Sequence, residues 1–444
     1  MKKLVLVSLA AALAQAASAS SAPDVTLRVT PERDYVYRLG PREVIVQVEV
    51  EARKSDDARR APMNLAIVLD RSGSMEGAKL EKARQAAAMA VDKLGDDDIF
   101  SLVTYDDQTD LLIPPERVGN RDHREELKAR IFRIQAGGST ALHAGVTLGA
   151  KQVRRFFEKE RVNRVILLSD GLANVGPSRT SDLSGLGREL RGDGISVSTI
   201  GLGDDYNEDL MTALAEASNA NYYYVKDAEK LPGIFSAELG AARSLLARSV
   251  VIRIETPEGV RLKEIIGRPE IECHDRVVEI KMPELFGSEK RRFLVRCVAD
   301  EGKSKDAVEA AAVSLNYATI SGGAAPAQRL AAKVAFTDDQ KKADSSVKDD
   351  VARENSIVQN RLAKEKAVKL ADEGKTKDAV AVLRSQTMQN AAAPAAQQVP
   401  GMREENQKLE DVAKELDSNG RLEKRSRKAI QFENYADKYQ KDRR

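Results

Sequence analysis

A chain of 444 residues exceeds what one hydrophobic core usually serves, so two or three folded units are expected. Aromatic residues make up only 4% and tryptophan is absent, which weighs against a carbohydrate-stacking site, whereas the Ala- and Val-rich remainder suits strands alternating with helices. With 71 Lys and Arg against 69 Asp and Glu the chain is almost neutral, which argues against electrostatic capture of nucleic acid.

Residues 1–19 read as a secretory signal: Lys2 and Lys3, an apolar run from Leu4 to Ala14, then the small residues Ala17, Ser18 and Ala19. No later segment offers the roughly 18 consecutive apolar residues of a membrane span. The signal region has no cysteine to receive a lipid, so a periplasmic or secreted protein without a transmembrane anchor is expected. In 24–60 the alternations Val25, Leu27, Val29 and Val44, Val46, Val48, Val50 predict strands with one buried face, too few to form a domain alone.

From Asn64 the pattern changes to short apolar runs at Leu65–Leu69, Ile99–Val103, Val165–Leu168, Ile195–Ile200 and Tyr222–Val225. Helical stretches lie between them at 77–94, 121–134, 140–158, 181–191 and 207–217. Such alternation predicts a doubly wound α/β domain with a mainly parallel sheet over 62–244. Its last helix, 228–244, leads straight into the next region and is a candidate element for coupling a contact there to the domain's ligand site.

Strand-like runs return at 249–255, 268–273, 277–282, 292–298 and 308–318, and then in the alternation Leu330, Ala332, Val334, Phe336. They predict a β-sandwich whose early strands come from 24–60 and later ones from 246–339, with the α/β domain inserted between. Cys273 and Cys297 fall in this region, and their pattern leaves a disulfide and two separate thiols equally open. Residues 341–390 carry apolar positions at helical spacing broken by Gly374, a helical hairpin. The Ala-, Pro- and Gln-rich 391–401 reads as a linker, and the highly charged 402–444 as a marginal or partner-dependent helix. Within it Arg421, Lys424, Arg425, Arg427 and Lys428 read as a solvated helix face.

Two aspartates stand out. Asp70 directly follows one apolar run, and Asp170 follows another with only Ser169 between. In an open parallel sheet, ligands bind beyond the carboxyl ends of the strands. Ser72 and Ser74 alternate with Gly73, so an extended loop aims Asp70 and both hydroxyls to one side. A second loop, Gly137-Gly138-Ser139-Thr140, presents the Thr140 hydroxyl from the start of a helix. Singly such residues are usually turn formers and helix caps. Together, two carboxylates and three hydroxyls form an all-oxygen set suited to Mg²⁺ foremost, or to Mn²⁺ or Ca²⁺, and wrong for zinc.

Asp70-Arg71-Ser72-Gly73-Ser74 resembles the D-x-S-x-S of the metal ion-dependent adhesion site (MIDAS) in von Willebrand factor A (VWA) domains. Gly137 to Leu142 is similar to the threonine loop of that site at Thr140, and Ser169-Asp170-Gly171 to its third loop at Asp170. The inserted arrangement, the run Ser169 to Gly176 and the helical tail resemble bacterial proteins of the inter-alpha-trypsin-inhibitor and calcium-activated-chloride-channel-like type. The resemblance implies that both serines and the threonine contact the metal, that the aspartates act largely through water, and that an Asp or Glu of a protein partner completes the shell.

The function expected is therefore a metal-dependent binding or adhesion module rather than an enzyme. An alternative is a non-catalytic scaffold with a vestigial metal site. A metal-dependent hydrolase is less well supported, because the chain has three histidines, His123, His143 and His274, no H-E-x-x-H or G-x-S-x-G element, and no evident base near the metal loops. The partner's identity and the oligomeric state are not written in these motifs.

Overall fold

The computed structural model describes residues 23–54, 61–300, 307–320, 322–392 and 402–440. The leader read at 1–19 and most of the linker read at 391–401 lie outside these residues.

The chain opens with β1 (Val25–Pro31), β2 (Tyr35–Tyr37) and β3 (Glu43–Ala52). It then alternates through β4 (Met63–Asp70), α1 (Ala78–Lys93), β5 (Ile99–Tyr105), β6 (Thr109–Arg117), α2 (Arg121–Phe132), α3 (Leu142–Arg155) and β7 (Val162–Ser169). The alternation ends with α4 (Thr180–Gly192), β8 (Ser196–Leu202), α5 (Glu208–Ala217), β9 (Tyr222–Val225) and α6 (Leu231–Arg243). The six strands form one sheet in the order β6-β5-β4-β7-β8-β9, parallel throughout except for β6. Every residue of β4, β5, β7 and β8 is buried because helices cover both faces. Ile67 and Leu69 of β4 meet α1, α2 and α6 through Ala83, Leu127 and Phe235. Ala66 and Val68 meet α3, α4 and α5 through Val146, Leu186 and Leu210.

Strand β6 escaped the sequence pattern. Pro114 and Pro115 interrupt it, and its register against β5 slips at two places, which an edge strand tolerates.

After α6 come β10 (Leu245–Glu255), β11 (Val260–Ile265), β12 (Val277–Phe286), β13 (Lys290–Ala299), β14 (Ala307–Thr319) and β15 (Gln328–Thr337). They build two sheets, β1-β3-β13-β11 and β12-β10-β14-β15-β2, each taking strands from both sides of the α/β unit. Val46, Val48 and Val50 of one sheet share a core with Ile252, Ile254, Val313 and Leu315 of the other. The strand expected at 268–273 is not formed. Turn bonds from Arg268 to Ile265 and from Ile271 to Arg268 occupy that stretch, and the strand lies earlier, in β11. A bulge between Leu262 and Glu264 puts odd spacing between buried Leu262 and Ile265, which hides the alternation from a period-two reading. Cys273 and Cys297 are free thiols, and burial, with Cys273 nearby, pushes the Cys297 thiol up to about 12.

Helices α7 (Gln340–Ser345), α8 (Asp349–Asp372), α9 (Thr376–Ala392), α10 (Met402–Asn419) and α11 (Lys424–Tyr439) complete the chain. Val351 of α8 sits with Ile45, Ile266 and Leu294 on the outer face of the four-stranded sheet, so β3 is buried on both sides. The tail is not a marginal helix. Leu409, Ala413 and Leu416 of α10 pack on Ala379 and Leu383 of α9. Helix α11 joins the α/β core: Tyr435 is buried there, donates its hydroxyl to the Ala220 carbonyl, and meets the Tyr222 ring edge-on at 5.8 Å. The basic residues Arg427 and Lys428, read as solvated, instead pair with Glu208; Arg427 also binds Asp209 and Asp372 at 2.9 and 2.8 Å. The anchors were invisible in the tail's own sequence because the acidic and aromatic partners reside on other elements.

Candidate metal centre

Three loops converge at the carboxyl edge of the parallel sheet. Asp70 ends β4 with no exposed surface; its Oδ1 accepts the Ser72 N–H at 2.8 Å and its Oδ2 the Ser169 hydroxyl at 2.7 Å. Both carboxylate oxygens are therefore held before any ion arrives. Burial lifts this carboxyl above the usual range, the bonds from Ser72 and Ser169 work against that, and the Asp170 charge adds to it.

Ser72 Oγ lies 3.1 Å from Ser74 Oγ, and Ser74 donates to Asp170 Oδ1 at 2.7 Å. Thr140 reaches the same point from the loop before α3. A Cβ built on Gly171 would lie 3.1 Å from Thr140 Oγ1, 3.5 Å from Ser74 Oγ and 3.9 Å from Ser72 Oγ, so the three hydroxyls face one point, where a methyl would press on Thr140.

The loops are laced together. Gly73 N–H donates to the Gly138 carbonyl at 3.1 Å and Gly137 N–H to the Arg71 carbonyl at 2.8 Å. Gly138 has φ +73°, and a Cβ there would fall 2.2 Å from Asp107 Oδ1, so both conformation and space require glycine. Asn174 fixes the threonine loop: its Oδ1 accepts the Thr140 N–H at 2.9 Å, while its own N–H donates to the Thr140 carbonyl at 3.2 Å.

All five residues singled out from the sequence, Asp70, Ser72, Ser74, Thr140 and Asp170, thus meet at one place. The donor chemistry fits a hard divalent cation, with two carboxylates to supply charge and three neutral hydroxyls to supply ligands. Among the described residues no group of three or more His, Cys, Asp or Glu is placed to hold a metal. His143 lines a groove with Gly176, Pro177 and Arg179.

Sequence reasoning missed Asn174, Ser169 and Lys79. The first two stand inside the motif run, whereas Lys79, whose Nζ lies 2.5 Å from Asp170 Oδ2, carried no sequence signal as a site residue. Arg71, inside the motif, turns away to Asp106 and Asp110, both at 2.8 Å.

A mainly parallel sheet wound with helices on both faces and carrying these three loops at its carboxyl edge defines a class of α/β domain. Residues 64–237 match the von Willebrand factor type A domain family, and this part of the chain is such a domain. The chain is 32% identical over 183 residues to the uncharacterized protein sll0103 of Synechocystis sp., covering 41% of this chain and 42% of that protein. It is 27% identical over 226 residues to the uncharacterized protein YfbK of Escherichia coli, covering 49% and 39%. With human inter-alpha-trypsin inhibitor heavy chain H3 it shares 24% over 159 residues, covering 35% and 18%. The matches thus span about two-fifths of the bacterial relatives and less of the human one.

Among solved structures, a von Willebrand factor type A protein from Catenulispora acidiphila superposes with a TM-score of 0.70 at 19% identity, over 89% of this chain and 91% of that one. The ArnB paralog VWA2 from Sulfolobus acidocaldarius does so with a TM-score of 0.58 at 18% identity, over 93% and 97%. These likenesses establish the fold, and they extend well beyond the α/β unit.

Proposed function

We propose that the chain is a non-catalytic, metal-dependent binding module that captures an exposed Asp or Glu of a protein partner. The observation that carries this reading is the convergence of the Ser72, Ser74 and Thr140 hydroxyls beside the buried carboxylates of Asp70 and Asp170. A divalent cation held there, Mg²⁺ foremost, would supply an electrophilic coordination position for a third carboxylate. The chain's own contribution is to keep its ligands neutral, so that the ion is not saturated from within. The bonds that hold both oxygens of Asp70 leave that residue suited to acting through water.

The leader read at 1–19 supports a periplasmic or secreted setting, and among the described residues no helix is long and apolar enough to cross a membrane. The test is calorimetric titration of the chelator-stripped protein with Mg²⁺, Mn²⁺ and Ca²⁺, beside Asp70→Ala and Ser72→Ala. Saturable binding lost in both variants is expected. Absence of binding by the unaltered protein would overturn the reading and favour the scaffold alternative.

A further inference from the structure

Lys79 stands on the first turn of α1, nine residues beyond Asp70, and its side chain reaches across the carboxyl edge of the sheet. Its Cε and Nζ pass 3.8 Å from where a Cβ on Gly203, just beyond β8, would lie, and its ammonium ends 2.5 Å from Asp170 Oδ2. Asp170 has no exposed surface, and the ammonium occupies one of its oxygens while the Ser74 hydroxyl occupies the other. The lysine therefore binds the oxygen other than the one bonded to the hydroxyl cluster. Its place is compatible with an ion among the hydroxyls, so it is not a plug that must leave.

The charges then add up differently from the expectation drawn from two carboxylates alone. Asp70 and Asp170 contribute two negative charges and Lys79 one positive, while Arg71 pairs with Asp106 and Asp110, a neighbouring group that carries one net negative charge whether or not Lys79 is present. A dication would bring Asp70, Asp170 and Lys79 together to net +1, and the two aspartates without the lysine to zero, so the lysine makes its surroundings one charge more positive. A site one charge more positive holds the dication less firmly but attracts a third carboxylate more strongly.

We infer that Lys79 is a positioning and specificity residue of this site, a resident positive charge that orients Asp170 and trades metal affinity for affinity toward an anionic partner group. This rests on the binding reading above and adds to it a residue that bonds the Asp170 oxygen not bonded to Ser74.

The experiment compares the full chain with Lys79→Met, Lys79→Gln and Lys79→Arg, all stripped with chelator and titrated with MnCl₂ at fixed ionic strength, with circular dichroism melts confirming folding. Water-proton relaxation of the Mn²⁺-loaded proteins then reads displacement of metal-bound water by acetate. The neutral variants are expected to bind Mn²⁺ about tenfold more tightly, and to need severalfold more acetate, than the unaltered protein. The arginine variant should stay within about threefold of it on both counts. Mn²⁺ binding by the unaltered protein with equal or tighter affinity than Met and Gln overturns the inference and leaves the binding reading standing. Silence of all four proteins overturns both. The two neutral side chains differ in shape, so a fold defect in one leaves the other to decide.

Discussion

Replacing Glu238 with leucine tests how the last helix of the VWA domain is seated. Glu238 lies wholly buried on α6, and its Oε1 accepts from Arg164 and Ser198 while Oε2 accepts from Asn221 and Tyr223, each at 2.7 Å. Burial by itself would raise this carboxyl; the Arg164 charge and the bonds from Ser198, Asn221 and Tyr223 outweigh it and hold it below the usual range. Arg164 is itself 2% exposed, donates to Ser196 at 3.2 Å, and stacks 5.4 Å from the Phe286 ring of the sandwich. Removing one partner of such a buried pair strands the other, a loss of about 3–5 kcal/mol. The double variant Arg164→Met/Glu238→Leu removes the stranded charge and should recover most of that. It should retain about 1–3 kcal/mol for the Ser198, Asn221 and Tyr223 donors that lose this acceptor. Urea denaturation followed by circular dichroism measures both costs, and hydrogen exchange of the α6 amides localises them. A single variant losing less than about 1 kcal/mol would refute the view that this carboxylate anchors the helix. Since α6 packs on α1, which follows the Asp70–Ser74 loop, titrating the same proteins with Mg²⁺ also asks whether the helix's seat and the candidate site are coupled.

Three further outcomes follow from the geometry. Gly171→Ala places a methyl among three hydroxyls, so metal affinity should fall at least about tenfold in calorimetry while the melting temperature in chelator stays near that of the unaltered protein. Tyr435→Ala removes a buried ring that joins α11 to the α/β core and should cost about 3–5 kcal/mol, read by urea denaturation; a loss under about 1 kcal/mol would mean that the tail is merely laid on the surface. Burial acts to raise the Glu208 carboxyl, but bonds from Lys428 and Arg427 prevail and hold it below its ordinary value. Its contribution is thus complete above the ordinary glutamate range and disappears as pH falls through the depressed value. Proteolysis of the tail should accelerate over that acidic window in the unaltered protein, whereas Glu208→Gln should begin with a loosened tail and lack this component.

Much of the α/β unit was legible because a strand covered on both faces must be a continuous apolar run, and Leu65–Leu69 or Val165–Leu168 admits few other readings. The irregular places were not. Pro114 and Pro115 disguise β6 and a bulge disguises β11, since in each the period that betrays a strand is broken by local geometry. The loops of the candidate site were legible for a different reason: Asp70, Ser72 and Ser74 lie within one short loop, and Thr140 and Asp170 each sit in a short, distinctive one.

What the sequence by itself determined was therefore whatever a local stretch can encode: the alternation of strands and helices, the oxygen-only chemistry at the sheet's carboxyl edge, and the break at Gly374. Only the tertiary structure decided that Lys79 reaches Asp170, that Glu238 gathers four donors, and that Arg427, Lys428 and Tyr435 clamp the tail to the α/β unit. The physical reason is the same in each case. A buried charge or ring is stabilised by partners that the chain brings from far away, and their spacing along the sequence carries no period from which the meeting could be read.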